Sequence, residues 1–340
     1  MITIKENNMK TQWLILQIAI ALIVTLTACS GQSVPAQPKL TPVTLQLQWV
    51  TQAQFAGYYV ALDKGWYKDE GIDLTIIPGG PDVSPLDLVA SGTRDFGTSL
   101  LADLAVAVQG NKPVIGIAQI QQKNGLLLIA KKSSGILSPA DLKGKKVGVW
   151  LGSWEAQFDA LTAKEGISKN DFTLVQQGYS MTPFIKGDLD VASAMSYNEY
   201  YSVLESGIAP EDINIIDYAN YGLDFPGDVL FTSKTTVDQN PDLCTRMVRA
   251  SLKGWQYAIA HPSEAVDIVL RYDKTGEQTR QHQLSMMTEI AKLVQGPQLG
   301  RSDDAALQRT IDTLLQFGIL KGAVQPADVM TNKFWDSASK

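Results

Sequence analysis

Cysteine and histidine are scarce in this chain, which has 2 of each in 340 residues. No H-x-x-x-H spacing, G-x-S-x-G elbow or P-loop occurs, and Cys244 has no nearby histidine in the sequence. These absences leave a metal centre, a serine hydrolase and a nucleotide-hydrolysing enzyme without support. We therefore expect no catalytic residue, no metal and no cofactor.

Clusters of positive charge are also missing. The formal net charge is -6, and no run of Lys and Arg is longer than two residues. A nucleic-acid-binding surface requires a basic patch or stripe, so we expect no nucleic-acid partner.

The N-terminal segment has the features of a secretory signal peptide. Lys5 and Lys10 precede an apolar run at residues 13–28 that is shorter than the roughly 20 residues needed to span a bilayer. The run ends in LTAC, where a small residue before Cys29 resembles the lipobox of bacterial lipoproteins. We predict a signal peptide at residues 1–28 and a lipid on Cys29 that holds the protein at the extracytoplasmic face of the cell membrane. The alternative is an uncleaved membrane anchor.

A lipidated Cys29 leaves Cys244 without a partner. The fold then cannot rely on a disulfide, and Cys244 is expected to be a buried, unreactive thiol. Residues 29–42 are rich in Pro, Gln and Ser with little to bury, which predicts a flexible linker between the lipid and the folded body.

Short apolar strands alternate with helical stretches from Thr44 onward, the pattern of a parallel sheet covered by helices. One such series covers residues 43–130 and a second covers residues 131–230, whereas residues 231–340 have helical periodicity. We predict an α/β fold with two lobes, each a mostly parallel sheet flanked by helices. The second lobe is inserted into the first, with chain crossings near Ala130 and Phe231, and the C-terminal helices return to the first lobe. The two chain crossings between the lobes would act as a hinge, and a hinge allows the lobes to close around a ligand.

The predicted strand ends carry more negative than positive charge. Ligands of open α/β sheets bind beyond the carboxyl ends of the strands. The segments there contain Asp82, Asp103, Glu155 and Glu199 against one cation, Lys123. A dehydrated anion requires cationic donors or a helix terminus, so this balance favours a neutral or cationic ligand.

The stretch WVTQAQFAGYYVALDKGWYKDEGID, which starts at Trp49, resembles solute-binding proteins of ABC importers that take up thiamine pyrimidine precursors, sulfonates and related solutes. The GGPD turn at residues 79–82 and the segments LVASGTRDFG, SPADLKGKKVGVW and AMSYNEYYSVLE strengthen this resemblance. It covers most of residues 44–230 and is greatest to the riboflavin-binding branch. It implies the periplasmic-binding-protein type II fold, a small-molecule ligand, and an ABC permease with its ATPase subunit as partners.

The residues after the strand tryptophan favour riboflavin over a thiamine precursor. Members that bind thiamine pyrimidine precursors have a Pro-Asn pair and a histidine there, whereas this chain has Thr51, Gln52 and Gln54. A thiamine pyrimidine precursor remains the alternative ligand.

A flat, neutral ring system such as the isoalloxazine of riboflavin gains from aromatic faces and from amides that match its imide edge. Asp82 and Glu155 are expected to accept hydrogen bonds from the ribityl hydroxyls, and Glu199 lies next to the candidate amide Asn198. The aromatic candidates are Trp49, Phe55, Tyr58, Trp154 and Tyr197, the amides are Gln52, Gln54, Gln119 and Asn198, and the carboxylates are Asp82, Glu155 and Glu199. Core packing is the alternative for Trp49 and Tyr58, and helix capping or solvent contact is the alternative for Gln52 and Gln54.

A pyrimidine synthase of the thiamine pathway shares this resemblance and is the alternative from another class. The resemblance implies chemistry centred on a lysine that holds pyridoxal phosphate and on an active-site histidine. His261 and His282 both lie in the helical C-terminal region, which the sequence places far from the cleft segments. We therefore expect a binding protein and not an enzyme.

The lipid anchor predicts the effect of replacing Cys29 with Ser. A serine cannot accept the lipid, so Cys29→Ser is expected to move the chain from the membrane fraction to the soluble fraction. Fractionation of cells that express each form measures this, with Cys244→Ser as the matched control. Retention of Cys29→Ser in the membrane would favour an uncleaved anchor.

Overall fold

The computed structural model describes residues 40–151 and 154–339, so Cys29 and the predicted signal peptide lie outside the described residues. The first lobe is built on a sheet of five strands: β1 (Thr41–Gln46), β2 (Ile72–Ile77), β3 (Phe96–Leu100), β4 (Val114–Gln119) and β10 (Asp228–Ser233). They lie side by side in the order β2-β1-β3-β10-β4. The sheet therefore combines the beginning of the described chain with a strand that arrives after the second lobe.

The second lobe has its own five-stranded sheet. Its strands are β5 (Leu126–Lys131), β6 (Lys146–Val149), β7 (Thr173–Gln176), β8 (Val191–Met195) and β9 (Ile213–Asp217), in the order β7-β6-β8-β5-β9. The predicted α/β class with two helix-flanked sheets is confirmed.

One strand in each sheet runs against the others. β10 is antiparallel to β3 and β4, and β5 is antiparallel to β8 and β9, whereas the remaining pairs are parallel. The reversed strand is in each case the one that enters directly from the other lobe. Its first residues therefore lie at the sheet edge where the parallel strands end.

The lobe boundaries differ from the predicted ones by a few residues. β5 pairs with β8 and β9, so the first crossing precedes Leu126 and does not lie near Ala130. β10 pairs with β3 and β4 from Asp228 onward, so the return crossing precedes Asp228 and not Phe231. The apolar sequences of β5 and β10 identify them as strands but carry no signal for which sheet they join.

The folded body also begins slightly earlier than predicted. Thr41 and Pro42, assigned above to the linker, already form β1. β1 pairs with β2 along its full length but with β3 only at Leu45 and Gln46. Pro42 is therefore tolerated, because its missing N–H has no ladder partner on the β3 side.

Helices cover both sheets and dominate the C-terminal third. Those of the two α/β series are α1 (Ala56–Asp63), α2 (Trp66–Asp69), α3 (Pro85–Ala90), α4 (Leu101–Gln109), α5 (Ala156–Lys164), α6 (Thr182–Lys186) and α7 (Glu199–Glu205). The C-terminal ones are α8 (Lys234–Gln239), α9 (Pro241–Ala260), α10 (Pro262–Tyr272), α11 (Arg280–Val294), α12 (Asp304–Gln316), α13 (Pro326–Val329) and α14 (Lys333–Ala338). Over residues 40–151 and 154–339, none of them has the length and apolar character of a membrane span.

Helix α9 packs in the core of the first lobe and against α1. It buries an apolar stripe that includes Cys244, and burial raises the pKa of the Cys244 thiol to about 12. The expected buried thiol is therefore found. α9 crosses α1 at a pair of glycines, because a Cβ on Gly254 would overlap the carbonyl oxygen of Gly57. The indole of Trp255 lies over Gly57 on the same side.

This helix crossing predicts the outcome of Gly254→Ala. An added methyl group meets backbone that cannot move without separating the helices, and overpacking of this kind costs about 1–3 kcal/mol. The helix propensity of alanine returns at most about 1 kcal/mol. We expect a lower free energy of unfolding in a denaturant titration, whereas Gln256→Ala on the exposed face of α9 should change little. Equal stability of Gly254→Ala and the parent would contradict the close crossing.

Candidate functional site

A pocket lies between the two lobes, at the edge where the parallel strands of both sheets end. The first lobe contributes residues that follow β1, and the second contributes residues that follow β6 and β8. The lining residues are Gln48, Trp49, Gln52, Gln54, Trp150, Trp154, Met195, Tyr197, Asn198 and Glu199. We call this the central pocket. Its free volume is about 10 Å³, roughly the space that one water molecule needs.

Three indole rings fill most of the central pocket. The ring of Trp49 lies 5.8 Å from that of Trp150 and 5.0 Å from that of Trp154, and the last two rings are 5.7 Å apart. All three pairs meet edge to face. We call these three residues the tryptophan cluster. Trp49 belongs to the first lobe and the other two to the second, so the cluster joins the lobes through ring contacts.

Tyr179 extends the aromatic contact toward solvent. Its ring lies 5.0 Å from that of Trp49, and a Cβ on Gly80 would overlap its hydroxyl oxygen. The GGPD turn at residues 79–82 therefore needs glycine where a tyrosine of the other lobe approaches it. Asp82 of this turn is exposed and lies near Tyr179. The pKa of Tyr179 is raised, mainly by burial and to a smaller extent by the negative charge of Asp82.

Behind the tryptophan cluster, glutamines of the first lobe surround a buried carboxyl. Gln48 Nε2 donates to Asp228 Oδ1 at 2.8 Å, and Gln54 Nε2 donates to Asp228 Oδ2 at 2.8 Å. Gln52 Nε2 donates to Gln54 Oε1 at 2.8 Å. Burial raises the pKa of the Asp228 carboxyl to about 7, although the two amide donors act in the opposite direction. Within the described part of the chain, the buried Oε1 of Gln48 has no hydrogen-bond partner.

The second lobe contributes a matching polar group at the start of α7. Glu199 Oε2 accepts from the backbone N–H of Met195 at 2.9 Å, and Asn198 Nδ2 donates to Glu199 Oε1 at 2.6 Å. Burial raises the pKa of Glu199 to about 7. Tyr197, fully buried, lines the same wall. A carboxyl that titrates near neutral pH can accept or donate a hydrogen bond, so this wall can match either type of ligand group.

A second pocket, of about 680 Å³, continues from the first. The two share Trp49, Gln52, Asn198 and Glu199. The remaining lining residues are mostly polar: Val50, Tyr179, Ser202, Glu205, Thr275, Glu277, Gln278, Thr279 and His282. We call it the polar pocket.

His282 lies in the polar pocket, and the prediction that both histidines are far from the cleft is wrong for this residue. Its Nε2 is 2.9 Å from Asn198 Oδ1, and its Nδ1 is 3.0 Å from both carboxylate oxygens of Glu205. The reason is tertiary: the first turn of α11, in the C-terminal region, packs against α7 of the second lobe. Distance along the chain gives no information about this contact.

Five of the predicted site residues lie elsewhere. Phe55 and Tyr58 are each 1% exposed and pack in the core of the first lobe. Gln119 Nε2 donates to the backbone oxygens of Gln121, Gly227 and Asp228, so it braces the crossing segments. Asp82 is on the exposed turn described above.

Glu155 also points away from the central pocket. Its carboxylate is 3.2 Å from Lys169 Nζ, in a separate depression that Asp103 and Asp159 also line. A position after a strand thus brings a residue to the edge of the sheet where the ligand site lies, but it does not determine the direction of the side chain. The remaining predicted residues, Trp49, Gln52, Gln54, Trp154, Tyr197, Asn198 and Glu199, are brought together.

Beyond the seven candidates, the lining of the central pocket contains Gln48, Trp150 and Met195, and Asp228 lies behind it. Met195 is the last residue of β8. Trp150 follows a strand as Trp49 does, so its position in the sequence was a sufficient signal. Gln48 precedes Trp49 and was read as part of the strand. Asp228 is at the first position of β10, and it contacts Gln48 and Gln54 behind the pocket only because β10 is antiparallel, opposite Leu100 at the end of β3.

Comparison with known proteins gives a consistent set of relatives. The family model described as NMT1/THI5 like matches residues 52–265. The chain is 28% identical to the riboflavin-binding protein RibY of Chloroflexus aurantiacus, over 94% of this chain and 97% of that protein. It is 24% identical to a formylaminopyrimidine-binding protein of Halalkalibacterium halodurans, over 86% and 90%. It is also 28% identical to a 4-amino-5-hydroxymethyl-2-methylpyrimidine phosphate synthase of Legionella pneumophila, over 67% and 72%.

Solved structures support the fold. The periplasmic nitrate-binding protein NrtA of Synechocystis superposes with a TM-score of 0.64 at 14% identity, over 89% of each chain. At this identity the likeness concerns the fold alone. The predicted periplasmic-binding-protein fold is thereby confirmed.

The buried carboxyls predict how stability depends on pH. Asp228 and Glu199 have native pKa values of about 7, against 3.8 and 4.5 without the fold. Between those limits the native state binds more protons than the unfolded state, so the free energy of unfolding falls as pH rises from about 4 to about 7. We expect Asp228→Asn to reduce this fall by on the order of a few kcal/mol.

Denaturant titrations across this pH range measure the effect. Asp188→Asn, an exposed aspartate outside both pockets, is the matched control and should follow the parent. Parallel pH profiles for the parent, Asp188→Asn and Asp228→Asn would contradict a buried, neutral Asp228.

Proposed function

Because the chain belongs to the NMT1/THI5-like family, we propose that it is the solute-binding component of an ABC importer and that its ligand is riboflavin. It captures the vitamin between its two lobes and delivers it to a permease that is driven by an ATPase subunit. A lipid on Cys29 holds it at the extracytoplasmic face of the membrane.

The tryptophan cluster is the observation that carries this proposal. A pocket of about 10 Å³ cannot admit a three-ring system while the three indoles contact each other. Trp49 and its two partners belong to different lobes, so opening of the hinge separates them and exposes ring faces. When a flat heterocycle enters, the edge contacts between the indoles are replaced by offset stacking of an indole on each side of the ligand. Each stacked ring pair contributes about 0.5–1.5 kcal/mol beyond area burial.

The polar groups around the cluster fit an uncharged ring. Among the described residues that line either pocket there is no Lys or Arg. The imide edge of isoalloxazine offers one N–H between two carbonyl oxygens. Gln48 Oε1 is an unpaired acceptor for that N–H, and the neighbouring amides of Gln52 and Gln54 offer donors for the oxygens.

Ligand binding can drive closure only through its contacts with both lobes. A ring held by Trp49 on one side and by Trp150 and Trp154 on the other contacts both, so it favours the closed state by its differential affinity. The permease can then distinguish the loaded protein by its closed shape.

A thiamine pyrimidine precursor is the second candidate ligand, because a formylaminopyrimidine-binding protein is also among the relatives. A single pyrimidine ring can use the same indole faces and amides. It is smaller than the combined pockets, which favours the larger heterocycle.

A pyrimidine synthase is the candidate from another class, and His282 at the cleft is the observation in its favour. The chemistry implied by the resemblance also needs a lysine, and none of the described residues lining either pocket is one. We therefore propose binding and transport without catalysis.

Titration of the purified protein with riboflavin tests the proposal. Stacking on indoles quenches flavin fluorescence, so we expect saturable quenching and a higher melting temperature at micromolar ligand. Absence of quenching at tens of micromolar, together with a rise in melting temperature on addition of an aminopyrimidine, would decide for the second candidate.

Trp49→Ala separates a role in the cleft from a role in the core. We expect it to weaken riboflavin binding by at least about ten-fold, since the stacking and burial of one indole are lost. Trp66→Ala, outside both pockets, is the matched control and should bind normally. Trp49→Ala should lower the melting temperature of the ligand-free protein less than Trp255→Ala, which empties the core under α9; a larger loss would assign Trp49 to the core.

A further inference from the structure

The polar pocket is too large to be a mere entrance to the central pocket. Its volume of about 680 Å³ lies within the range of about 300–1,000 Å³ that small-molecule sites have. It shares a wall with the central pocket through Trp49, Gln52, Asn198 and Glu199. A ligand whose ring lies among the indoles therefore has room for a substituent that extends toward α7 and α11.

The chemistry of this pocket suits hydroxyl groups. Ser202, Thr275 and Thr279 each carry a hydroxyl in the lining. The Ser202 hydroxyl donates to the Asn198 backbone oxygen and the Thr275 hydroxyl to Asp273 Oδ1, so their oxygens remain as acceptors for a ligand. Gln278 Oε1 accepts from Gln283 Nε2, so the Gln278 amide offers donors. The Glu205 and Glu277 carboxylates accept charge-assisted O–H···O bonds. Asp82 and Glu155, which the sequence suggested for this role, are not among the residues that line either pocket.

The charge of the pocket opposes an anionic substituent. The Glu205 and Glu277 carboxylates line it, and within the described residues no Lys or Arg does; Lys274, next to Thr275 in the sequence, is exposed and outside the lining. Two helices begin at the pocket. At α11 the Thr279 hydroxyl accepts from the His282 N–H at 3.2 Å, and at α7 the Glu199 carboxyl occupies the first turn. A phosphate there would meet like charges without a compensating Lys or Arg among the described lining residues.

His282 fixes the geometry of the pocket across the lobes. It contacts Asn198 and Glu205 of the second lobe from α11 of the first, so both walls take part in one hydrogen-bonded unit. A tail bound there, like the ring, contacts both lobes.

From these observations we infer that the polar pocket is a subsite for an uncharged, polyhydroxylated tail of the ligand and that its carboxylates exclude the phosphorylated form. This inference rests on the proposed function, because it assumes a flavin ring in the central pocket. It assigns selectivity for the free vitamin over its phosphate ester to Glu205 and Glu277.

Three flavins with the same ring system test the subsite: riboflavin, lumiflavin, which has a methyl group in place of the ribityl tail, and riboflavin 5′-phosphate. Fluorescence quenching gives a dissociation constant for each. We expect riboflavin to bind at least about ten-fold more tightly than either of the others, a ratio that corresponds to about 1.4 kcal/mol. The preference over the phosphate ester should shrink as salt is added, because screening weakens the repulsion.

The double variant Glu205→Gln/Glu277→Gln tests the role of the carboxylates. It retains acceptors and removes negative charge, so we expect tighter binding of riboflavin 5′-phosphate and a riboflavin-to-phosphate ratio that falls at least three-fold. Glu211→Gln, an exposed carboxylate of the second lobe outside both pockets, is the matched control and should leave the ratio unchanged.

The outcomes separate the two claims. Equal binding of riboflavin and lumiflavin would overturn the tail subsite while the proposed function stands. Equal binding of riboflavin and its phosphate ester would overturn the exclusion of the phosphate ester, and the proposed function would stand. A double variant with the same riboflavin-to-phosphate ratio of affinities as the parent would also overturn it. Failure of all three flavins to bind would overturn the proposed function and this inference together.

Discussion

The contact between Trp49 and the two tryptophans of the second lobe is the interaction on which the site depends. It joins two separately built sheets at the edge where their strands end, with ring distances of 5.0 and 5.8 Å. The indoles meet edge to face, so separation of the lobes would expose ring faces on which a ligand can stack. In the function proposed above, a ligand that stacks on those faces replaces a protein–protein contact with two protein–ligand contacts, which would link ligand binding to lobe closure.

The electrostatic character of the site follows from its surroundings. Asp228 is buried behind Gln48 and Gln54 of the first lobe, Glu199 is buried in the wall from the second lobe, and burial raises the pKa of each to about 7. Neutral carboxyls and amides can meet a ring that has both donors and acceptors on its edge, whereas a dehydrated anion finds no cation among the described lining residues. The nitrate-binding protein NrtA has a similar fold at 14% identity. Under the function proposed above, the charge of the ligand would therefore depend on the residues after the strands and not on the fold.

The sequence predicted much of this arrangement, and its failures have identifiable causes. Strand and helix alternation was sufficient for the two α/β lobes, and the position after a strand located Trp49, Trp154 and Asn198 in the cleft. Phe55 and Tyr58 are on the same stretch as Trp49, but they begin a helix and turn into the core, since direction depends on the helix phase and not on the order in the chain. Asp228 and His282 could not be found in this way, because one reaches the site through the reversed direction of β10 and the other through packing of α11 on α7.

A crystal structure of the protein saturated with riboflavin tests the central claim most directly. It should show the isoalloxazine between the ring of Trp49 and those of Trp150 and Trp154, with its imide edge at Gln48 and Gln54 and the indole edge contacts broken. A flavin bound outside the gap between the lobes, with the three indoles still in mutual contact, would contradict this account of the site.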